Sequence, residues 1–159
     1  MAVSFDPTAD LVAFTQRVHH FLTNDIKAIS AEKLSVSPGG SARAPLHIVA
    51  ECAAINGMVA AYLMTGETKR LPPDEREEWM SSFTTREATL QVLNESTAAL
   101  VDAIQGLDPS TFGEISDQPF GRSLTRFAIA QAPAAHMMYH DGQLNYLQTL
   151  HGDTEVHWG

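Results

Sequence analysis

Apolar residues recur along this chain with the period of a helix rather than that of a strand. From Pro7-Thr8 onward, Leu11, Phe14, Val18, Phe21, Leu22, Ile26 and Ile29 return every three or four positions and draw a single apolar stripe. Ser37-Pro38-Gly39-Gly40 breaks the run. A second run, Ala44 to Thr65, is rich in Ala, Met and Ile; Pro45 suits its first turn and Gly66 its C-cap. That composition predicts the most buried helix of the chain. The following stretch, 66–81, holds Pro72-Pro73 and the acidic run Asp74-Glu75-Arg76-Glu77-Glu78. It is long for a helix-to-helix link and reads as a crossover or a functional loop. Thr84 and Glu87 stand at capping-box spacing and open a third helix through Leu90, Leu93, Thr97, Leu100, Val101 and Ile104 to Gly106. Asp108-Pro109 starts a loop that lasts to Gly121, and a fourth helix runs from Ser123 to about Leu150, closed by Gly152. Nothing reads as a strand ladder, a repeat or a phosphate loop. The pattern predicts an all-α four-helix bundle with a long connection between its second and third helices, as a single domain over 1–159.

Charge narrows the partners. Ten Lys+Arg against nineteen Asp+Glu leave a formal net charge of -9, a field that repels polyanions. Lys69-Arg70 is the only adjacent basic pair, so the sequence argues for no nucleic-acid partner. The single cysteine, Cys52, rules out an intrachain disulfide. The first ten residues carry two Asp and no basic residue, unlike a signal peptide, and no apolar run is read as reaching the ~20 residues that cross a bilayer. These features point to the cytoplasm and to no membrane partner.

Chemistry enters with HMMYHDGQLNYL, residues 136–147. On a helix His136 and His140 lie one turn apart on one face, about 6 Å along the axis. They share that face with Phe127, Ile129, Gln143, Leu144 and Leu147, so both imidazoles are expected to point into the bundle. A buried imidazole has two ring nitrogens to satisfy. A divalent metal does this, because neutral imidazole ligates zinc, nickel, copper and ferrous iron; hydrogen bonds to water or backbone are the alternative. Two ligands rarely suffice, and a third must come from another helix. His47, between Leu46 and Ile48, is the candidate, with Glu51 one turn beyond it. Glu51 reads as a general base, as the partner that fixes the His47 tautomer, or as an exposed or capping carboxylate.

Other residues take plainer readings. Gln143 is placed to hydrogen-bond near the site, and Asn145 to face solvent. Gly142 costs about 1 kcal/mol of helix propensity relative to Ala, which predicts close helix packing there. Tyr139 is either core or a donor to substrate. His19 and His20 adjoin the first apolar stripe as boundary groups, and His151 and His157 have no partner at ligand spacing. Cys52 lies about 140° round the helix from His47 and reads as a buried structural thiol, since no cation flanks it to lower its pKa.

The run His136-x3-His140-Asp141-Gly142-Gln143-Leu144-Asn145-Tyr146, ending in Leu150-His151-Gly152-Asp153, resembles the last helix of the DinB-like (YfiT-like) superfamily. His47, just after the Pro45 helix start, matches that family's earlier single histidine. The resemblance spans nearly the whole chain. It implies a four-helix bundle in which His47, His136 and His140 hold a divalent ion (zinc, nickel or iron), with coordination positions left open. It also implies a homodimer acting on a small-molecule substrate, as a hydrolase or as a transferase or isomerase using a low-molecular-weight thiol. Three neutral histidines plus water match an open catalytic zinc arrangement. Two further readings stand beside the enzyme: a metal-stabilised, non-catalytic dimeric bundle, and a histidine-lined pocket that binds a small ligand without metal.

Overall fold

The computed structural model describes residues 5–159. Residues 1–4, part of the N-terminal stretch read above as unlike a signal peptide, lie outside it. Five helices carry the fold: α1 (Pro7–Ala28), α2 (Pro45–Thr65), α3 (Pro73–Ser81), α4 (Arg86–Gln105) and α5 (Arg126–Leu150). The long ones, α1, α2, α4 and α5, form the bundle: α1 packs on α4 and α5, and α2 packs on the same two from the other side.

Local chemistry sets the helix ends. The Asp6 side chain accepts from the backbone N–H of Thr8 and Ala9 at 3.0 and 3.1 Å and starts α1. Pro45 occupies the first turn of α2, and Gly66 ends it in the left-handed region at φ 75°. The cap of α4 is Thr85, whose hydroxyl accepts from Ala88 N–H at 3.2 Å. The capping box on Thr84 and Glu87 is therefore one residue out of register.

Two expectations change in the connections. Stretch 66–81 is not all loop. Pro73 opens the nine-residue α3 with Asp74 and Glu75 in its first turn, where carboxylates favour the unpaired N–H groups and the dipole of a helix start. The acidic run, read as part of a crossover or functional loop, lies in a helix with its first two carboxylates in the opening turn. The loop before α5 also pairs Ile115–Ser116 with Leu124–Thr125 as a two-residue antiparallel ladder, too short to show as an alternating pattern.

The core divides along the bundle. At one end Val18, Leu22, Ile26, Leu46, Val49, Leu93, Met137 and Leu144 interlock; at the other, Leu11, Val59, Leu63, Leu100, Ile104 and Ile129 do so. α2 is long and apolar enough to cross a bilayer, contrary to the sequence reading, but half of its most apolar stretch is buried inside the bundle. Its apolarity is what a helix wedged between two others requires. The histidine site sits at the first end, on the α2–α5 face.

Candidate metal centre

His140 is 1% exposed and held on both sides. The Oε1 carbonyl of Gln143 lies 2.7 Å from its Nδ1, so Nδ1 carries the proton and donates, and Nε2 presents a bare lone pair. A hydrogen-bonded Nδ1–H that fixes ring and tautomer is the usual support of a metal-ligating histidine. The reading of Gln143 as a site neighbour stands on that distance.

The lone pair of His140 faces Nε2 of His136 at 3.1 Å, with the two rings nearly perpendicular. His136 cannot be satisfied by the protein in either tautomer. If Nε2 donates to His140, the buried Nδ1 is an acceptor without a donor; if Nδ1 is protonated, two lone pairs converge. An orphaned buried polar group costs about 1–3 kcal/mol, whereas a cation relieves the converging lone pairs. Two nitrogens bound to one ion at ~2.1 Å with a tetrahedral angle stand ~3.4 Å apart, close to the observed spacing. The pair fits a divalent ion. Burial, the neighbouring imidazole and Arg43 bring the pKa of His136 down to about 4. Burial chiefly lowers that of His140 as well. Both rings are neutral at neutral pH, the state that ligates.

Two donors of α2 stand against the pair. Ligand atoms of Cys52, His136 and His140 lie within 4.8 Å of one another. The Cys52 thiol is fully buried, and burial pushes its pKa far up. Glu51 places Oε2 3.4 Å from Nε2 of His140, and Arg43 engages the same carboxylate. His47, half-buried in the first turn of α2, is outside the Cys52–His136–His140 group. The structure thus brings Cys52 up to the two α5 histidines and Glu51 up to His140, while neither Glu51 nor His47 belongs to the Cys52–His136–His140 group. Cys52 was read as inert packing, and only the fold shows that it faces the histidines.

Asn145 does not face solvent. It donates to the carboxylate of buried Asp25 at 2.6 Å, and Trp158 and Gln148 donate to the same residue at 3.2 and 3.0 Å. Beside the metal-site face, a cavity of about 590 Å³ is lined by Arg43, Ile48, Tyr139, Gly142, Gln143 and Tyr146. Gly142 faces this space, and a Cβ built there meets nothing within 4 Å. Close helix packing is therefore not its reason. Gly142→Ala should stabilise the fold by about 1 kcal/mol in denaturant titration, the helix-propensity difference with no clash to offset it.

Comparison with known proteins agrees with this architecture. A family model described as the DinB superfamily matches residues 11–144. The chain belongs to the DinB superfamily. The fold is similar to that of a mycothiol-dependent maleylpyruvate isomerase, at 15% identity and TM-score 0.69 over 87% of this chain and 61% of that one. It is equally close to ClbS, a colibactin self-resistance protein solved in complex with dsDNA, at 16% identity and TM-score 0.68 over 89% of this chain and 95% of that one. This DinB-superfamily chain thus spans less than two thirds of the isomerase's length. No curated protein matches the sequence at a significant level. The ClbS complex corrects the exclusion of nucleic acid drawn from net charge. A protein of this fold holds duplex DNA, so an overall acidic balance does not close that class of partner.

Proposed function

We propose that this DinB-superfamily chain is a metal-dependent enzyme in which His136, His140 and Glu51 hold one divalent ion for hydrolysis or transfer of a low-molecular-weight thiol. The observation that carries the reading is Nε2 of His140, which has one proton-bearing partner behind it and faces both the His136 nitrogen and the Glu51 carboxylate. Glu51 is preferred to Cys52 as the α2 donor for two reasons. A carboxylate is already anionic, whereas the buried thiol must first lose a strongly held proton. Glu51 is also 24% exposed, which keeps the ion on the solvent side, where a substrate reaches it. His2Glu with an open position is an established catalytic donor set.

Bound there, the ion supplies Lewis acidity that lowers the pKa of a coordinated water or thiol. The protein's own groups do the rest. Gln143 holds the His140 ring in its ligating tautomer. Arg43 balances Glu51 and leaves a cation at the mouth of the 590 Å³ cavity, suited to an anionic group on the substrate. The two exposed tyrosines, Tyr139 and Tyr146, offer it aromatic faces. A small-molecule thiol as co-substrate draws support from the mycothiol dependence named for the similar isomerase. A cytoplasmic homodimer belongs to the same reading, and sedimentation should give twice the chain mass.

Elemental analysis of untagged protein purified without added metal tests the proposal, with about one ion per chain expected. Glu51→Gln should weaken metal binding by at least ~10-fold, while His47→Ala and Cys52→Ser leave the stoichiometry unchanged. Metal loss in His47→Ala, with Glu51→Gln unaffected, would return the third position to His47.

A further inference from the structure

A second cavity, of about 470 Å³, lies between α2, α3 and α4, and none of the metal-site residues lines it. Its floor is a trough in α2 made by small side chains, Ala54, Gly57 and Ala61; Trp79 of α3 and Phe120 wall it. Its rim carries Lys69, Arg70 and Arg76, and no acidic residue lines it. Three cations and no carboxylate line this one cavity, in a chain with nineteen acidic against ten basic residues. None of the three makes an ion pair among the described residues.

The rim is built rather than loose. Arg70 donates to the Pro119 carbonyl, and Thr68 donates to Gln118 Oε1 at 2.8 Å, so the link after α2 is tied to the loop carrying Phe120. The volume falls in the ~300–1,000 Å³ range of small-molecule sites, and an apolar body with a few convergent polar groups is their usual lining. Cations at the rim and aromatic and aliphatic walls inside specify a ligand with an anionic head and an apolar body.

We propose that the α2–α3–α4 cavity binds an organic monoanion with an extended apolar body, a medium-chain or aryl carboxylate, head toward Lys69, Arg70 and Arg76 and tail over Gly57. The site is separate from the metal centre and does not depend on its assignment.

Decanoate below its micellar concentration is the probe, with full-length protein and isothermal titration calorimetry. One-to-one binding is expected with a Kd of about 10–100 µM, weakening as salt is raised because rim charges are screened. Decan-1-ol should bind at least ~10-fold more weakly, and Lys69→Gln/Arg76→Gln should bring decanoate to the level of the alcohol. Gly57→Leu is the steric arm. A Cβ at Gly57 meets nothing within 4 Å, so the leucine grows into the cavity, and the exchange favours the helix. It should fold at least as stably as the parent, lose decanoate binding by at least ~10-fold and keep its metal content. Equal affinity for acid and alcohol, undiminished binding in the folded Gly57→Leu protein, or displacement of decanoate by a short DNA duplex would each overturn the assignment.

Discussion

His140→Ala should strip the bound divalent ion, from about one per chain to a residual occupancy reflecting at least ~100-fold weaker binding, while far-UV circular dichroism keeps its helical signal. The size of the effect follows from position. His140 is the hub of the proposed site: its Nε2 faces both His136 Nε2 and the Glu51 carboxylate, and its Nδ1 is held by Gln143. Removing it cuts the set to two donors that no longer share a neighbour. Gln143→Leu isolates the supporting role, since it leaves every donor in place but frees the ring to turn and to exchange tautomers. It should cost ~10–100-fold in affinity. Activity, once a thiol or hydrolase substrate is found, should fall with metal content in both variants. A His140→Ala protein that keeps its ion would place the metal elsewhere.

Asp141→Asn should remove a loss of stability that the metal-free protein suffers between pH 6.5 and 8. Asp141 is buried, and burial, reinforced by the carboxyl of Asp25, raises its pKa from the ordinary carboxylate range to about 8, with Trp158 opposing. Its Oδ1 has no hydrogen-bond partner. A carboxyl whose pKa is higher in the fold than in the open chain binds more protons when folded. Its contribution is complete below the unfolded value near 4 and is lost as pH rises through 8. The lowered histidines, His19, His136 and His140, act with the opposite sign. Folded, they bind fewer protons, so they cost stability as pH falls below the unfolded value near 6.5. The two effects oppose each other below 6.5 and separate above it. Urea titrations from pH 6.5 to 8 should show parent stability declining by at most ~1.4 kcal/mol per pH unit more steeply than Asp141→Asn. Parallel slopes would show that Asp141 ionises normally in the fold.

How far this was legible in the sequence depends on where periodicity carries phase. The four long helices were visible because apolar spacing, proline starts and glycine stops agreed. His136 and His140 were legible as a pair because their spacing fixes their relation on any helix. The third donor proposed here, Glu51, was not. His47 and Glu51 are about 40° apart around α2, and the choice between them rests on how that helix is rotated toward α5. A helix apolar nearly all round, as α2 is, carries no phase that fixes its rotation. Cys52 was hidden for the same reason. α3 escaped because nine residues with an acidic first turn resemble a charged loop, and the cap of α4 moved by one residue because adjacent threonines offer the same oxygen. The cationic rim at Lys69, Arg70 and Arg76 is assembled by folding, which is why the sequence displays only one adjacent basic pair.

The most direct measurement is anomalous X-ray scattering from crystals of the protein as isolated, at the absorption edge of the metal that elemental analysis finds. The account predicts one peak at about 2.0–2.2 Å from Nε2 of His136, Nε2 of His140 and a carboxylate oxygen of Glu51. An ion bound away from His140, or full-length protein with no ion that also gains no thermal stability from added zinc or nickel, would contradict it.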